Sequence, residues 1–318
     1  MRVINDITAL DISQPIALTI GVFDGVHRGH QQLIRETARV ASAQGGLAVV
    51  LTFWPHPVTI LRPTIELRYL NTLSERLERL ASLDLLAATI VMHFTPSVAD
   101  TPAATFLDTL RQAMNLRAIV VGTNFAFGRH REGTLDFLRT YGQRHAIAIT
   151  TIELVHNNHG ERISSSRIRE LLMAGDVQHA NVLLGYAYTL HGTVVMGDRR
   201  GRTIGFPTAN LALDPEKLVP ANGVYAVRCR MAGEPSPLFD GVMNIGVRPT
   251  FDGQQRTIEV HLLDPAGEGT TFDLYGRELA VELIAHLRPE RRFASIDELR
   301  AQIQADIEAA RSVLTGRA

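Results

Sequence analysis

Lysine is almost missing from this chain: Lys217 stands alone beside 31 arginines. A phosphate loop of the GxxxxGK type needs a lysine after its glycines, and class I aminoacyl-tRNA synthetases carry a lysine-bearing signature, so neither chemistry is open to this sequence. Any phosphate it handles must meet arginine, histidine, hydroxyls, backbone amides or metal. Cysteine is as scarce. Cys229 is the only one, which excludes an internal disulfide and a cysteine zinc cluster and suits a reducing compartment, most simply the cytoplasm. No run approaches the ~20 apolar residues of a membrane span, and the opening MRVINDITALDISQ lacks the apolar core of a secretion signal. Charge of one sign is lacking too: 32 basic residues face 33 acidic ones. No overall field therefore draws the chain to nucleic acid or to an anionic membrane, and an anion must be held by a local site.

What is present is enough apolar residue, 45% of 318, for two cores. From 16 to about 155, the apolar runs IALTIGVF, LAVVLTF, ATIVMHF, AIVVGTNF and IAITTIEL read as strands buried on both faces. Helical stretches alternate with them: Leu33, Ile34, Thr37, Val40 and Ala41 follow a helical period, and Thr72 to Glu75 reads as a capping box. This alternation predicts a doubly wound parallel sheet, with ligands at the carboxyl ends of its strands. Two short helices, 165–175 and 177–185, are expected next. From Tyr186 to about Arg288, turn residues interrupt the chain at short intervals, which predicts a small antiparallel barrel or sandwich. A second capping box, Ser295 to Glu298, opens a helix to about Leu314. The domains are expected at 1–185 and 186–318.

The first strand ends in GVFDGVHRGH, residues 21–30. Gly21, Gly25 and Gly29 permit close backbone approach to a ligand, and a helix starting near Gly29 directs free amides and its positive dipole end at it. His27 and His30 add donors able to stabilise charge on a phosphorus centre. One imidazole as a helix cap and the other as packed core is the structural alternative. Further on, Ser164, Ser165 and Ser166 lead into a helix carrying Arg167 and Arg169, so hydroxyls, amides and guanidinium groups converge.

GVFDGVHRGH resembles the GxFDGxHxGH form of the HxGH signature in the nucleotidyltransferase superfamily, in particular its FAD synthetase branch. VGTNFAFG (121–128) is similar to that branch's VGxNFxFG element, and RISSSRIRELL (162–172) to its ISSTxIR element, with Ser166 in place of threonine. The resemblance implies that Gly21, Phe23, Asp24, Gly25 and Gly29 bind ATP together with Arg162, Ser165, Ser166 and Arg169, with His27 and His30 as catalytic groups. Asn124, Phe125 and Phe127 would hold the flavin, although core packing accounts equally well for the two phenylalanines. TFWPHP (52–57) resembles a TFxPHP element near the family's flavin site, and Trp54 departs from the acidic residue expected there.

In the second half, GDRRGRTIGFPTANL (197–211), NGVYAV, NIGVRPTF, IEVHLLD and DLYG together resemble riboflavin kinase, PTAN most specifically. Gly197, Gly201 and Gly205 bracket Arg199, Arg200 and Arg202 in a loop able to wrap phosphates. By the resemblance, Gly197, Arg202 and Gly205 bind ATP, Thr208 and Asn210 are oxygen ligands for Mg²⁺, and Glu259 is the base for the riboflavin 5′-hydroxyl. His261, on the same face of its strand, is the rival base. The whole chain is thus similar to the bacterial bifunctional riboflavin kinase/FAD synthetases. That implies an α/β nucleotidyltransferase domain and a β-barrel kinase domain with a C-terminal helix. The substrates and products would be riboflavin, FMN, FAD and ATP, with Mg²⁺ in both reactions and no nucleic acid or membrane partner. Two alternatives stay open: another acceptor for the first domain, such as a pantetheine or nicotinamide mononucleotide, and a flavin-binding regulator without turnover.

Overall fold

The computed structural model describes residues 1–7, 12–153, 160, 162–197, 201, 204–231, 237–250, 253–263 and 274–316. Contacts divide the chain into two compact units, Met1–Ser165 and Ser166–Ala318. Sequence grammar changes at residue 185, whereas this division falls twenty residues earlier. The intervening helices α7 (Ser165–Met173) and α8 (Val177–Leu184) pack with the second unit. The Ala221 amide donates to Leu172 O at 2.9 Å, and the Asn181 side chain donates to Leu283 O at 2.8 Å.

The first unit is built on six parallel strands: β1 (Arg2–Ile4), β2 (Ile16–Ile20), β3 (Leu47–Trp54), β4 (Ala88–His93), β5 (Leu116–Gly122) and β6 (Ala148–Ile152). Their order is β1-β4-β3-β2-β5-β6. Strand periodicity sorts the apolar residues onto two faces. Ala17, Ala48, Val50, Ala118 and Val120 meet Ile34, Val40 and Ala41 of α1 (Arg28–Ala43) and Leu80 of α3 (Leu73–Ala81). On the other face Leu18, Ile20, Val49, Leu51, Ile119 and Val121 meet Phe106, Leu107 and Leu110 of α5 (Ala103–Ala113) and Leu138 of α6 (Leu135–His145). Each Val, Leu, Ile or Phe side chain taken out of water contributes about 1.5–3 kcal/mol, which is why both faces read as continuous apolar runs. Two short helices, α2 (Pro57–Leu61) and α4 (Pro96–Ala99), follow β3 and β4. Thr72 and Glu75 form the expected reciprocal capping box of α3. The strand order reverses between β2 and β5, and the carboxyl ends of those two strands frame the crevice where open α/β sheets bind ligands.

In the second unit six antiparallel strands close into a barrel, ordered β10-β11-β8-β7-β12-β9. They are β7 (Thr189–Val195), β8 (Ala209–Leu213), β9 (Gly223–Met231), β10 (Phe239–Thr250), β11 (Gly253–Leu262) and β12 (Glu278–Arg288). Helix α9 (Ile296–Leu314) packs Ile307, Ala310 and Leu314 against Val224, Ala226 and Val242. At its start Ser295 accepts from the Glu298 amide at 3.2 Å, but the Glu298 carboxylate accepts from Ala294 N–H rather than from Ser295. The second capping box is therefore half formed, its return bond shifted by one residue. Among the described residues, no helix is long and apolar enough to cross a membrane.

Candidate functional site

Between β2 and α1 the backbone turns through positive φ at Phe23 (56°), Gly25 (83°) and Val26 (35°). Two of these three are residues for which that region is strained, a cost of about 1–3 kcal/mol each that is typical of functional turns. The helix starts at Arg28, and His27 is its N-cap: its Nδ1 accepts from the His30 amide at 3.3 Å. A neutral imidazole that accepts at Nδ1 carries its proton on Nε2. The two rings stack with centroids 3.6 Å apart and 16° between planes, and Phe23 lies 5.1 Å from His30. Burial pushes His27 down to about 4, with the Asp24 charge opposing. His30 is held well below the ordinary histidine value by burial, then by His27 and Arg76. At neutral pH both rings are uncharged. His30 Nδ1 is buried and has no hydrogen-bond partner.

Phe23 is fully buried in the core, and Asp24 is 1% exposed. The Asp24 carboxylate accepts from the amides of Leu70 (3.2 Å) and Asn71 (3.1 Å) and faces Arg76 at 3.9 Å. Its backbone carbonyl accepts from the Ser165 hydroxyl at 2.8 Å. Serine and histidine segments, joined through residues 141 apart in sequence, therefore meet. Arg162 and Ser166 are exposed, while Arg169 is half-buried on α7.

Beside the turn lies a cavity of about 610 Å³, within the size range of small-molecule sites. Gly21 and Val22 form part of its lining. Asn124, Phe125 and Phe127 line it too, together with His56, Phe53 and Phe106. Phe125 and Phe127 stack at 5.5 Å, and Phe127 packs on Phe106 at 5.6 Å. Phe127 is both core and cavity wall, so the two readings of this residue describe opposite sides of one ring. His27 and His30 are not among the lining groups of this cavity. His56, within the TFWPHP element, was given no role of its own from the sequence; it caps α2 by accepting from Val58 N–H at 3.0 Å. Its signal was His-Pro, a cap followed by proline at a helix start. Trp54 does not line the cavity; it stacks on Tyr69 at 4.5 Å and under Arg76 at 5.3 Å.

In the barrel, Glu259 lies opposite Asn210 on β8 and Asn244 on β10. Ile258 and Val260 are buried while Glu259 and His261 look into a cavity of about 260 Å³. Thr208 donates to Glu259 Oε2 at 3.3 Å. His261 Nδ1 donates to Pro207 O at 2.8 Å, leaving its Nε2 as the acceptor. Asn210 projects towards Gly197, where an added Cβ would fall 2.3 Å from Nδ2. Gly205, at φ 90°, has open space beside it. Arg199, Arg200 and Arg202 lie outside the described residues. Arg288 and Asp306 were not foreseen. They form a two-bond pair between β12 and α9 at 2.8 and 2.7 Å, and both line the cavity. The oxygen donors Thr208 Oγ1, Asn210 Oδ1 and Glu259 Oε2 are of the hard type that suits Mg²⁺. Among the described residues no group of three or more His, Cys, Asp or Glu could hold a metal.

Two family models match the chain, one described as FAD synthetase over residues 10–167 and one as riboflavin kinase over 184–314. A bifunctional riboflavin kinase/FMN adenylyltransferase of Listeria monocytogenes is 36% identical over 93% of this chain and 91% of its own. The Escherichia coli (strain K12) protein of the same name is 39% identical, over 91% and 90%. A solved structure described as a macrolide-efflux protein from Streptococcus pneumoniae matches with a TM-score of 0.86 at 31% identity, covering 97% of this chain and 98% of that one. On this identity and coverage, the chain belongs to the bifunctional riboflavin kinase/FMN adenylyltransferase family.

Proposed function

We propose that the two reactions are divided along the chain, with FMN adenylylation in residues 1–185 and riboflavin phosphorylation in residues 186–318. Riboflavin, FMN, FAD and ATP are the substrates and products. In the first reaction a phosphate oxygen of FMN attacks the α-phosphorus of ATP, the bond to the β-phosphate oxygen breaks, and pyrophosphate leaves. Direct in-line attack needs no enzyme nucleophile. The amides of the 21–30 turn and the α1 amino end hold the α-phosphate, and neutral His27 and His30 donate to its oxygens as charge grows. Arg162, Ser165, Ser166 and Arg169 take the leaving pyrophosphate. Asn124, Phe125 and Phe127 hold the flavin of FMN. What supports this half is the meeting of the histidine turn, Ser165 and an aromatic cavity at the switch point of the sheet.

In the second reaction Glu259 accepts the proton of the riboflavin 5′-hydroxyl as that oxygen attacks the γ-phosphorus, and ADP leaves. Thr208 and Asn210 would hold Mg²⁺, which would supply neutralisation of phosphate charge. Gly197, Arg202 and Gly205 belong to the loop around the nucleotide. What carries this half is the meeting of Thr208 and Glu259 in one cavity, with Asn210 paired opposite Glu259 on the neighbouring strand. A cytoplasmic address is consistent with the single, free Cys229, which is buried.

The test separates the two steps. Glu259→Gln should abolish FMN formation from riboflavin and leave conversion of supplied FMN to FAD largely intact; His27→Ala should do the reverse. Chromatography of the products over time reads both. Loss of both activities in either variant, with the protein still folded, would refute the division.

A further inference from the structure

Arg76 is the largest fully buried side chain among the described residues, with no exposed surface. It lies on the core-facing side of α3, in phase with Leu80, where an amphipathic helix normally carries an apolar residue. Its Nη1 donates to Val22 O at 2.9 Å, Phe53 O at 3.2 Å and Thr52 Oγ1 at 3.4 Å. Its Nη2 is 3.9 Å from Asp24 Oδ1, and the guanidinium lies 5.3 Å from the Trp54 ring centroid. Thr52 in turn donates to Val22 O at 2.8 Å.

These partners belong to two different places. Val22 and Asp24 are in the turn that leads to His27, and Asp24 O receives Ser165. Phe53 is at the end of β3 and forms the cavity wall, which Val22 also touches. A buried ion pair confers little net stability, and well-packed apolar residues in its place are often neutral or stabilising. Folding alone therefore gives no reason for a charge here. One planar guanidinium spans both places: Nη1 holds the Val22 and Phe53 carbonyls together while Nη2 faces Asp24, an orientation a point charge would not fix.

We propose that Arg76 is a positioning residue for FMN adenylylation, locking the nucleotide turn and the wall of the acceptor cavity into one register. The inference rests on the reading of this unit as the adenylylation site. In-line attack needs the reacting atoms about 3–3.5 Å apart, and a misplacement of about 1 Å costs on the order of 100-fold in rate. A residue that sets the register acts on the rate of transfer while each substrate still finds its own subsite.

The test uses the full chain with Arg76→Gln, assayed for FMN-to-FAD conversion below the unfolding midpoint reported by Trp54 fluorescence. The expected result is a fall in kcat of about 30- to 100-fold, with the equilibrium Kd values for FMN and ATP changed less than about 3-fold. Riboflavin phosphorylation should be unchanged. Arg76→Lys, which returns a cation beside Asp24 without the fork, should recover part of the loss. A kcat within about 3-fold of the parent per folded molecule, or a loss explained by weaker binding of one substrate alone, overturns the proposal. Should Arg76→Gln fail to fold, Thr52→Val decides: a fall in kcat at unchanged Kd supports the register and an unchanged kcat overturns it. If the parent chain makes no FAD from FMN, the reading of the site fails; if the parent is active and these variants are too, only the role of Arg76 does.

Discussion

Acidification from pH 7 to pH 5 should cost the N-terminal unit stability through His27. In the folded chain burial holds this imidazole down to about 4, against about 6.5 in an unfolded chain. At pH 5 the unfolded state therefore binds a proton here that the folded state does not. The stabilisation is complete above pH 6.5 and is lost as the pH falls towards 4. The whole loss is about 3 kcal/mol, of which about 2 kcal/mol comes between pH 7 and pH 5. His30 is lowered as well and acts in the same direction.

The assay has a convenient probe. Trp54 is the only tryptophan and belongs to the first unit, so its fluorescence during urea unfolding follows that unit alone. The comparison protein is His27→Asn, since asparagine can still accept an amide hydrogen bond at the N-cap but does not titrate. Between pH 7 and pH 5 the parent should lose about 2 kcal/mol more of its unfolding free energy than the variant. Equal losses in the two proteins would refute a neutral, buried His27, and with it the assignment of uncharged imidazole donors at the α-phosphate.

Two further outcomes test the barrel. Gly197→Ala should force the Asn210 amide aside, since the new Cβ would fall 2.3 Å from Nδ2. Loss of one oriented contact to a charged ligand is worth about 1.5–3 kcal/mol, so kcat/KM for riboflavin phosphorylation should fall roughly 10- to 100-fold with FMN adenylylation unaffected. Arg288→Met should leave Asp306, 5% exposed, without its cation and destabilise the second unit by about 3–5 kcal/mol. Thermal unfolding followed by circular dichroism checks this, and adding Asp306→Leu should restore most of the loss.

Much of the architecture was legible because its signals are local or periodic. Apolar runs declared the parallel sheet, although β6, at its edge, is exposed at Ala148 and only half-buried beyond it rather than buried on both faces, and glycine spacing declared the turn at His27. The edge strand β1, three residues long with Arg2 and Val3 exposed, has no such signal. Asp24 and Phe23 carry the family signature, and in the structure both side chains are buried, Asp24 accepting from the Leu70 and Asn71 amides. A motif records which residues a turn requires and does not separate those that touch a ligand from those that hold the backbone. Arg76 was hidden for a related reason. An arginine in LSERLERL reads as a solvated charge, and only the partners converging from Val22, Thr52 and Phe53, more than twenty residues away in sequence, account for its burial. The helices at 165–173 and 177–184 were visible in the sequence, but the unit with which they pack depends on long-range contacts such as Asn181 with Leu283.

The scarcity of lysine has a consequence beyond the phosphate chemistry it excludes. A buried lysine can lose its proton to escape the cost of desolvation, whereas arginine stays charged in a protein interior. A buried arginine therefore commits its surroundings to a compensating carboxylate and to several acceptors in fixed directions. In both units an arginine–aspartate pair adjoins a cavity: the fully buried Arg76 with Asp24 beneath the histidine turn, and the partly buried Arg288 with Asp306 at the seam between β12 and α9. The single lysine, 3% exposed, instead stands 4.7 Å above the face of Tyr188, where a point charge needs no fork. Permanent charge with directional donors suits walls that must not shift as phosphates arrive and leave.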